Sequence, residues 1–190
     1  MNSVVTIVSG LPRSGTSMMM KMLGAGGKLL ISDGIRKPDE DNPGGYFEFE
    51  KVKKLREEKN WLDQAGGKAV KVVSRLLYEL PADKTYKMIF MQRNLDEVLA
   101  SQVQMLRRLG RPAGDVNDSE MRDLFNGHLG EVEKWLVELE NFSLIKVSYN
   151  QTLKDPLGQS IAIKQFLDED LDVDQMAAVV DEGLYRQRVL

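Results

Sequence analysis

Apolar positions along the chain fall into short unbroken runs and longer stretches of helical spacing. Residues 4–8 (Val-Val-Thr-Ile-Val), 69–73, 87–91 and 142–147 are short runs rich in β-branched or aromatic residues. That pattern belongs to strands buried on both faces of a sheet. A briefer run over 29–31 predicts one more strand. Between these runs the period changes. Met18, Met19, Met22 and Leu23 repeat at helical spacing, with Gly24 as a stop. Helices are likewise predicted over about 95–109, 121–139, 156–167 and 173–181, and the charged stretch 47–61 is helix-prone. On the helix over 95–109, Leu95, Val98, Leu99, Met105, Leu106 and Leu109 form the predicted core face, with Ser101 on its flank. Strands alternating with helices predict a three-layer α/β fold with a parallel sheet.

Length and composition narrow this further. At 190 residues the chain suits one domain, residues 1–190, with a sizeable core. Twenty-six basic residues against 29 acidic ones give a net charge of −3, so no global basic field points to nucleic acid. No cysteine is present, which excludes disulfides, thiolate metal sites and cysteine nucleophiles. No apolar run approaches the ~20 residues of a membrane span, and the N-terminus lacks a basic n-region, so a cytoplasmic protein is expected. The acidic run over 168–174 reads as a solvated surface segment, and no metal cluster is expected.

The chemistry concentrates where the first strand meets the first helix, at Gly10-Leu-Pro-Arg-Ser-Gly-Thr-Ser17. A tight glycine turn followed by a helix start gathers backbone N–H groups and the positive end of the helix dipole around one point. Gly10 and Gly15 supply the conformation and close approach, and Ser14, Thr16 and Ser17 add hydroxyls. The loop is close to the nucleotide-triphosphate loop G-x-x-x-x-G-K-(S/T), but Thr16 stands where its lysine belongs. Arg13 is the cation left to replace it.

The segment Pro12-Arg-Ser-Gly-Thr-Ser17 resembles the 5′-phosphosulfate loop of the sulfotransferases, whose donor is 3′-phosphoadenosine 5′-phosphosulfate (PAPS). Residues 88–101 are similar to the family's 3′-phosphate motif, an arginine (Arg93) followed eight residues later by a serine (Ser101). The stretch 71–81, ending Leu80-Pro81, and the stretch 147–156, ending Asp155-Pro156, resemble two further family segments. With the tail Leu184-Tyr-Arg-Gln-Arg188 the likeness spans nearly the whole chain and is closest to small bacterial members.

The resemblance implies a three-layer α/β/α P-loop fold with a mostly parallel sheet. It implies transfer of a sulfuryl group from PAPS to a hydroxyl or amine, with 3′,5′-ADP as product and no obligatory metal. Arg13, Ser14, Gly15, Thr16, Ser17, Arg93 and Ser101 are then the nucleotide-binding residues, and Arg13 also faces the leaving phosphate. Arg186 and Arg188 either join the 3′-phosphate site or belong to a solvated terminus.

The proton acceptor is less defined. Many cytosolic sulfotransferases carry a histidine just after the strand that holds Lys71 here, but this chain has Val72, Val73 and Ser74. Other branches use a carboxylate after the first helix, where Glu48 and Glu50 lie. Glu48 ranks first, Glu50 second and His128, on a helix, third. Glu48 equally reads as a helix cap or an arginine's partner, and Lys71 either reaches the sulfuryl group or anchors its strand. Tyr46, Phe47, Leu76, Tyr78 and a lid over 110–125 are candidate parts of a pocket for a small-molecule, glycan or lipid-type acceptor. Two other readings stand beside this one: an atypical P-loop nucleotide kinase or NTPase, and a nucleotide-binding homologue without activity.

Overall fold

The computed structural model describes residues 4–40, 42–111 and 117–186. Five strands form one sheet: β1 (Val5–Gly10), β2 (Leu30–Ile31), β3 (Ala69–Lys71), β4 (Tyr86–Gln92) and β5 (Phe142–Ser148). Their order is β2-β3-β1-β4-β5, and every pairing is parallel. The helices are α1 (Thr16–Ala25), α2 (Glu50–Lys53), α3 (Leu95–Arg108), α4 (Asp118–Val137), α5 (Tyr149–Lys154), α6 (Pro156–Leu167) and α7 (Val173–Ala178).

The central strands explain the layering. All six residues of β1 are buried. Along β4, Tyr86, Met88 and Phe90 join one core with Val132 and Leu136 of α4, while Ile89 and Met91 join the other. That second core holds Met19, Met20, Met22 and Leu23 of α1 and Ile163 and Leu167 of α6. Period-two alternation thus feeds two apolar layers, one on each side of the sheet. No described helix is long and apolar enough to cross a membrane.

Several expectations are corrected. Residues 47–61 do not form one helix: only Glu50–Lys53 is α-helical, and Asn60–Gln64 is a separate 3₁₀ turn. Val52, Leu55, Trp61 and Leu62 all enter one core, but they reach it from a short helix and a separate 3₁₀ turn instead of one continuous helix. The strand over 142–147 is an edge strand in which only Val147 is fully buried. On α3, Leu109 is 55% exposed whereas Glu97 and Ser101 are buried. The helix is turned so that polar residues, not only apolar ones, face inward. The short helix α5 and the 3₁₀ turn Ser74–Glu79 carry no periodic apolar signal and were not expected.

In this strand order the chain goes from β1 out to β2 and back to β3 on one side, then crosses to β4 and β5 on the other. A crevice opens at the carboxyl end of β1 for that reason, where open α/β sheets bind their ligands.

Candidate active site

The loop after β1 sits in that crevice. Gly10 has φ +145°, Arg13 φ +74° and Gly15 φ +101°, so three left-handed residues fold the chain into a cup before α1. A Cβ on Gly15 would lie 2.5 Å from the Tyr149 ring, and one on Gly10 2.7 Å from the Met91 carbonyl oxygen. Both positions therefore require glycine on steric as well as conformational grounds. Ser14 and Thr16 are buried, and the Ser14 hydroxyl has no hydrogen-bond partner among the described residues. An orphaned buried hydroxyl inside a cup of N–H groups is the kind of group a bound phosphate oxygen satisfies.

The second motif meets the first. The Arg13 Nε donates to Ser101 Oγ at 2.8 Å, and Arg93 donates to the Arg13 carbonyl at 3.1 Å. Arg93 comes from the end of β4 and Ser101 from α3, whose start is capped by the Asn94 side chain accepting from Asp96 N. Behind Arg93 lies Glu97, one helical turn on, accepting from its Nε at 2.8 Å with both side chains under 10% exposed. The guanidinium stands 4.4 Å from the centre of the Tyr149 ring and 5.6 Å from that of Tyr185. Ser101 is thus a buried member of this junction.

On the β3 side, Lys71 points inward and is 9% exposed. Its ammonium donates to the Tyr46 carbonyl, lies 3.5 Å from Ser17 Oγ and 3.7 Å from a Glu48 carboxylate oxygen. Ser17 Oγ donates to the same Tyr46 carbonyl at 3.3 Å. Burial pushes the Lys71 pKa down from 10.5 to about 8, against an opposing pull from Glu48. Glu48 is held at 2.9 Å by Arg36, whose guanidinium also lies 3.4 Å from the centre of the Tyr46 ring. The Tyr46 hydroxyl donates to Asp39, and burial together with that carboxylate raises its pKa to about 12.

These groups line one cleft of about 450 Å³. Eight lysines and arginines line it against two carboxylates, Glu48 and Asp181, in a chain whose net charge is −3. The positive field missing from the whole chain is concentrated here, which suits a polyanion. Beyond Lys71 the wall turns apolar through Phe49, Val52, Val73, Leu76 and Met105.

Of the residues named from sequence, Arg13, Gly15, Thr16, Ser17, Arg93, Ser101, Glu48 and Arg186 line the cleft, and Ser14 lies buried beneath it. Arg186 donates to the Glu40 carbonyl at 2.6 Å, joining the C-terminal segment to the loop before Tyr46. Arg188 and residues 112–116 of the expected lid lie outside the described residues. Glu50 is away from the cleft lining and pairs with Lys53. His128 is also away from it, with Nε2 2.9 Å from Ser74 Oγ. Tyr46 and Leu76 line the cleft, but Phe47 packs against the α1-side core and Tyr78 meets Trp135 in a tilted ring contact at 4.7 Å.

Sequence reasoning missed Arg36, Lys53, Glu97, Tyr149, Asn150 and Tyr185. Only the four-residue spacing of Arg93 and Glu97 was available as a signal. Lys53, Tyr149 and Asn150 sit on the short helices α2 and α5, and Arg36 and Tyr185 on irregular segments, none of which carries a periodic signature.

Comparison with known proteins bears on the family and the fold. A family model described as a sulfotransferase domain matches residues 5–186. No curated protein sequence matches. Among solved structures, the sulfotransferase domain from the curacin biosynthetic pathway aligns with a TM-score of 0.56 at 14% identity, over 98% of this chain and 92% of that one. Retinol dehydratase in complex with androsterone and the inactive cofactor PAP aligns at 0.51 and 19% identity. A mouse sulfotransferase complexed with PAP aligns at 0.51 and 16%. Each of these last two matches covers 94% of this chain but 63% of the longer structure. With the family model spanning nearly its whole length, the chain belongs to the sulfotransferase-domain family.

Proposed function

We propose that this chain transfers a sulfuryl group from PAPS to a hydroxyl or amine of a small-molecule acceptor and releases 3′,5′-ADP. The observation that carries the reading is the direct junction of the two anion-binding halves. Arg13 of the β1 loop is bonded to Ser101, and Arg93 is bonded to Arg13, so two arginine forks converge in one cleft. Dianionic groups at the two ends of a single nucleotide match such a pair. The PAP bound in the retinol dehydratase and mouse sulfotransferase structures supports the same ligand class.

In this reading the β1 loop, with Ser14, Gly15, Thr16, Ser17 and the Arg13 guanidinium, holds the 5′-phosphosulfate. Arg93 and Ser101 hold the 3′-phosphate, with Arg186 and Arg188 from the tail as further cations. The acceptor oxygen or nitrogen attacks sulfur in line. Its new bond to sulfur forms as the bond from sulfur to the bridging phosphate oxygen breaks, and the electron pair stays on that oxygen. Arg13 and the loop N–H groups stabilise the charge growing there, and Lys71 with Ser17 faces the sulfuryl oxygens. Glu48, 3.7 Å from Lys71 and fixed by Arg36, takes the acceptor's proton. The apolar wall from Phe49 to Met105 receives the acceptor body.

Thermal stabilisation by 3′,5′-ADP, compared with ATP with and without magnesium, tests the nucleotide. At 100 times its Kd a ligand adds about 2.7 kcal/mol of stability. The expected result is a strong response to 3′,5′-ADP that Arg93→Ala loses. A response to magnesium-ATP alone would instead favour a kinase or NTPase. Transfer of labelled sulfate from PAPS across an acceptor panel tests activity. Glu48→Gln is expected to lose turnover while keeping the 3′,5′-ADP response.

A further inference from the structure

Arg93 is gripped from behind by parts of the chain far apart in sequence. Glu97 is 3% exposed, and besides Arg93 Nε its carboxylate accepts from Asn150 Nδ2 at 3.1 Å and from the Tyr185 hydroxyl. Asn150 also donates to the Tyr185 oxygen at 2.9 Å. Tyr149 and Tyr185 flank the guanidinium and meet edge to face, with ring centres 5.9 Å apart. Helices α3 and α5 and the C-terminal segment therefore converge on one buried carboxylate.

A carboxylate this deeply buried is stable only if donors replace the water it has lost. Burial alone would raise its pKa, but the hydrogen bonds from Tyr185, Arg93 and Asn150 outweigh that and the net effect is a lowering. The ion is thus held charged, and the bond from Nε fixes the plane of the guanidinium, which a lone flexible arginine would not have. The segment carrying Tyr185 also supplies Val179, Asp181 and Leu184 to the cleft wall. Its Arg186 reaches the Glu40 carbonyl.

We propose that Glu97 and Tyr185 are positioning residues for the nucleotide's 3′-phosphate: Glu97 sets the orientation of Arg93, and Tyr185 makes that orientation depend on the C-terminal segment being seated. Selectivity for a 3′-phosphorylated nucleotide is then a joint property of α3 and the tail, not of the Arg93 and Ser101 pair alone. This rests on the reading of Arg93 and Ser101 as the 3′-phosphate half.

The test is calorimetric titration of the full chain with 3′,5′-ADP and with 5′-AMP, which lacks the 3′-phosphate. Wild type, Tyr185→Phe and Glu97→Gln are compared, with melting temperature as the fold control. Wild type should prefer 3′,5′-ADP. Tyr185→Phe should lose about tenfold of that preference, the scale of one charge-assisted hydrogen bond, while its 5′-AMP affinity stays within about twofold. Glu97→Gln should lose more. If it fails to fold, Asn150→Ala, which removes a different donor to the same carboxylate, must show the same selective loss. Equal weakening toward both nucleotides would mark a merely structural role and overturn the proposal, as would an unchanged preference. A wild type that does not distinguish the two nucleotides would instead overturn the underlying 3′-phosphate reading, and this inference with it.

Discussion

Lys71 makes the fold pay for its cleft, and the cost can be measured. The ammonium is 9% exposed at the end of β3, and burial brings its pKa from 10.5 down to about 8. In the unfolded chain the same group holds its proton up to about 10.5. Between those values the unfolded state binds the extra proton, so stability rises with pH across that window. Below about 8 the destabilisation is fully present, and at ~1.4 kcal/mol per pH unit it amounts to about 3 kcal/mol. Urea denaturation of wild type and Lys71→Met at pH 7 and pH 10.5 isolates it, because other titrating groups cancel in the difference. The wild type should gain about 3 kcal/mol on the variant between the two conditions. The Tyr46 carbonyl and Ser17 hydroxyl are the ammonium's neutral partners, and an anionic oxygen beside it would favour its charged form. Binding of PAPS at pH 8 without an acceptor should therefore draw in up to about half a proton, seen as a dependence of the binding enthalpy on buffer. A stability difference that does not move with pH would refute the argument.

Three further outcomes follow from the same geometry. Gly15→Ala forces a Cβ to within 2.5 Å of the Tyr149 ring at φ +101°; it should cost about 1–3 kcal/mol in denaturation and abolish the thermal response to 3′,5′-ADP. Lys28 is buried against Glu169, so Glu169→Ala strands an ammonium and should destabilise by about 3 kcal/mol, whereas Lys28→Met removes the charge and should cost less; paired melting curves decide it. Arg36 joins Glu48 to the Tyr46 ring, so Arg36→Ala should lower turnover about tenfold or more while 3′,5′-ADP affinity, read by calorimetry, changes little.

The sheet was legible because its central strands, β1 and most of β4, are buried on both faces. Continuous apolar runs such as 4–8 and 87–91 have no other economical use, and a parallel order follows once helices alternate with them. The loop was legible because its demands are local: Gly10 and Gly15 bear positive φ, and hydroxyl residues crowd the helix start. Residues 47–61 misled because charge and helix propensity are weak guides: Val52, Leu55, Trp61 and Leu62 share one core but reach it through a short helix and a 3₁₀ turn. Glu50 and His128 entered as candidate bases on residue type, but one pairs with Lys53 at the surface and the other faces Ser74.

The least legible residues are those that complete the site from behind. An apolar periodicity argument assigns the inward face of α3 to Val98, Leu99 and their neighbours, leaves Ser101 on its flank and says nothing of Glu97. Both are buried, and they lie four residues apart on one side of the helix, facing Arg93 and Arg13. Burying a carboxylate and a hydroxyl on a core-facing helix is unfavourable unless partners are supplied. Here the partners come from the β1 loop, α5 and the segment ending at Arg186, over separations of up to 88 residues. No local pattern can encode that, because the compensation exists only once the sheet has brought β1 and β4 side by side. A polar pair at helical spacing, following an arginine at the end of a buried strand, is therefore the sequence feature to weigh: where the hydrophobic face is interrupted, the chain is building its site.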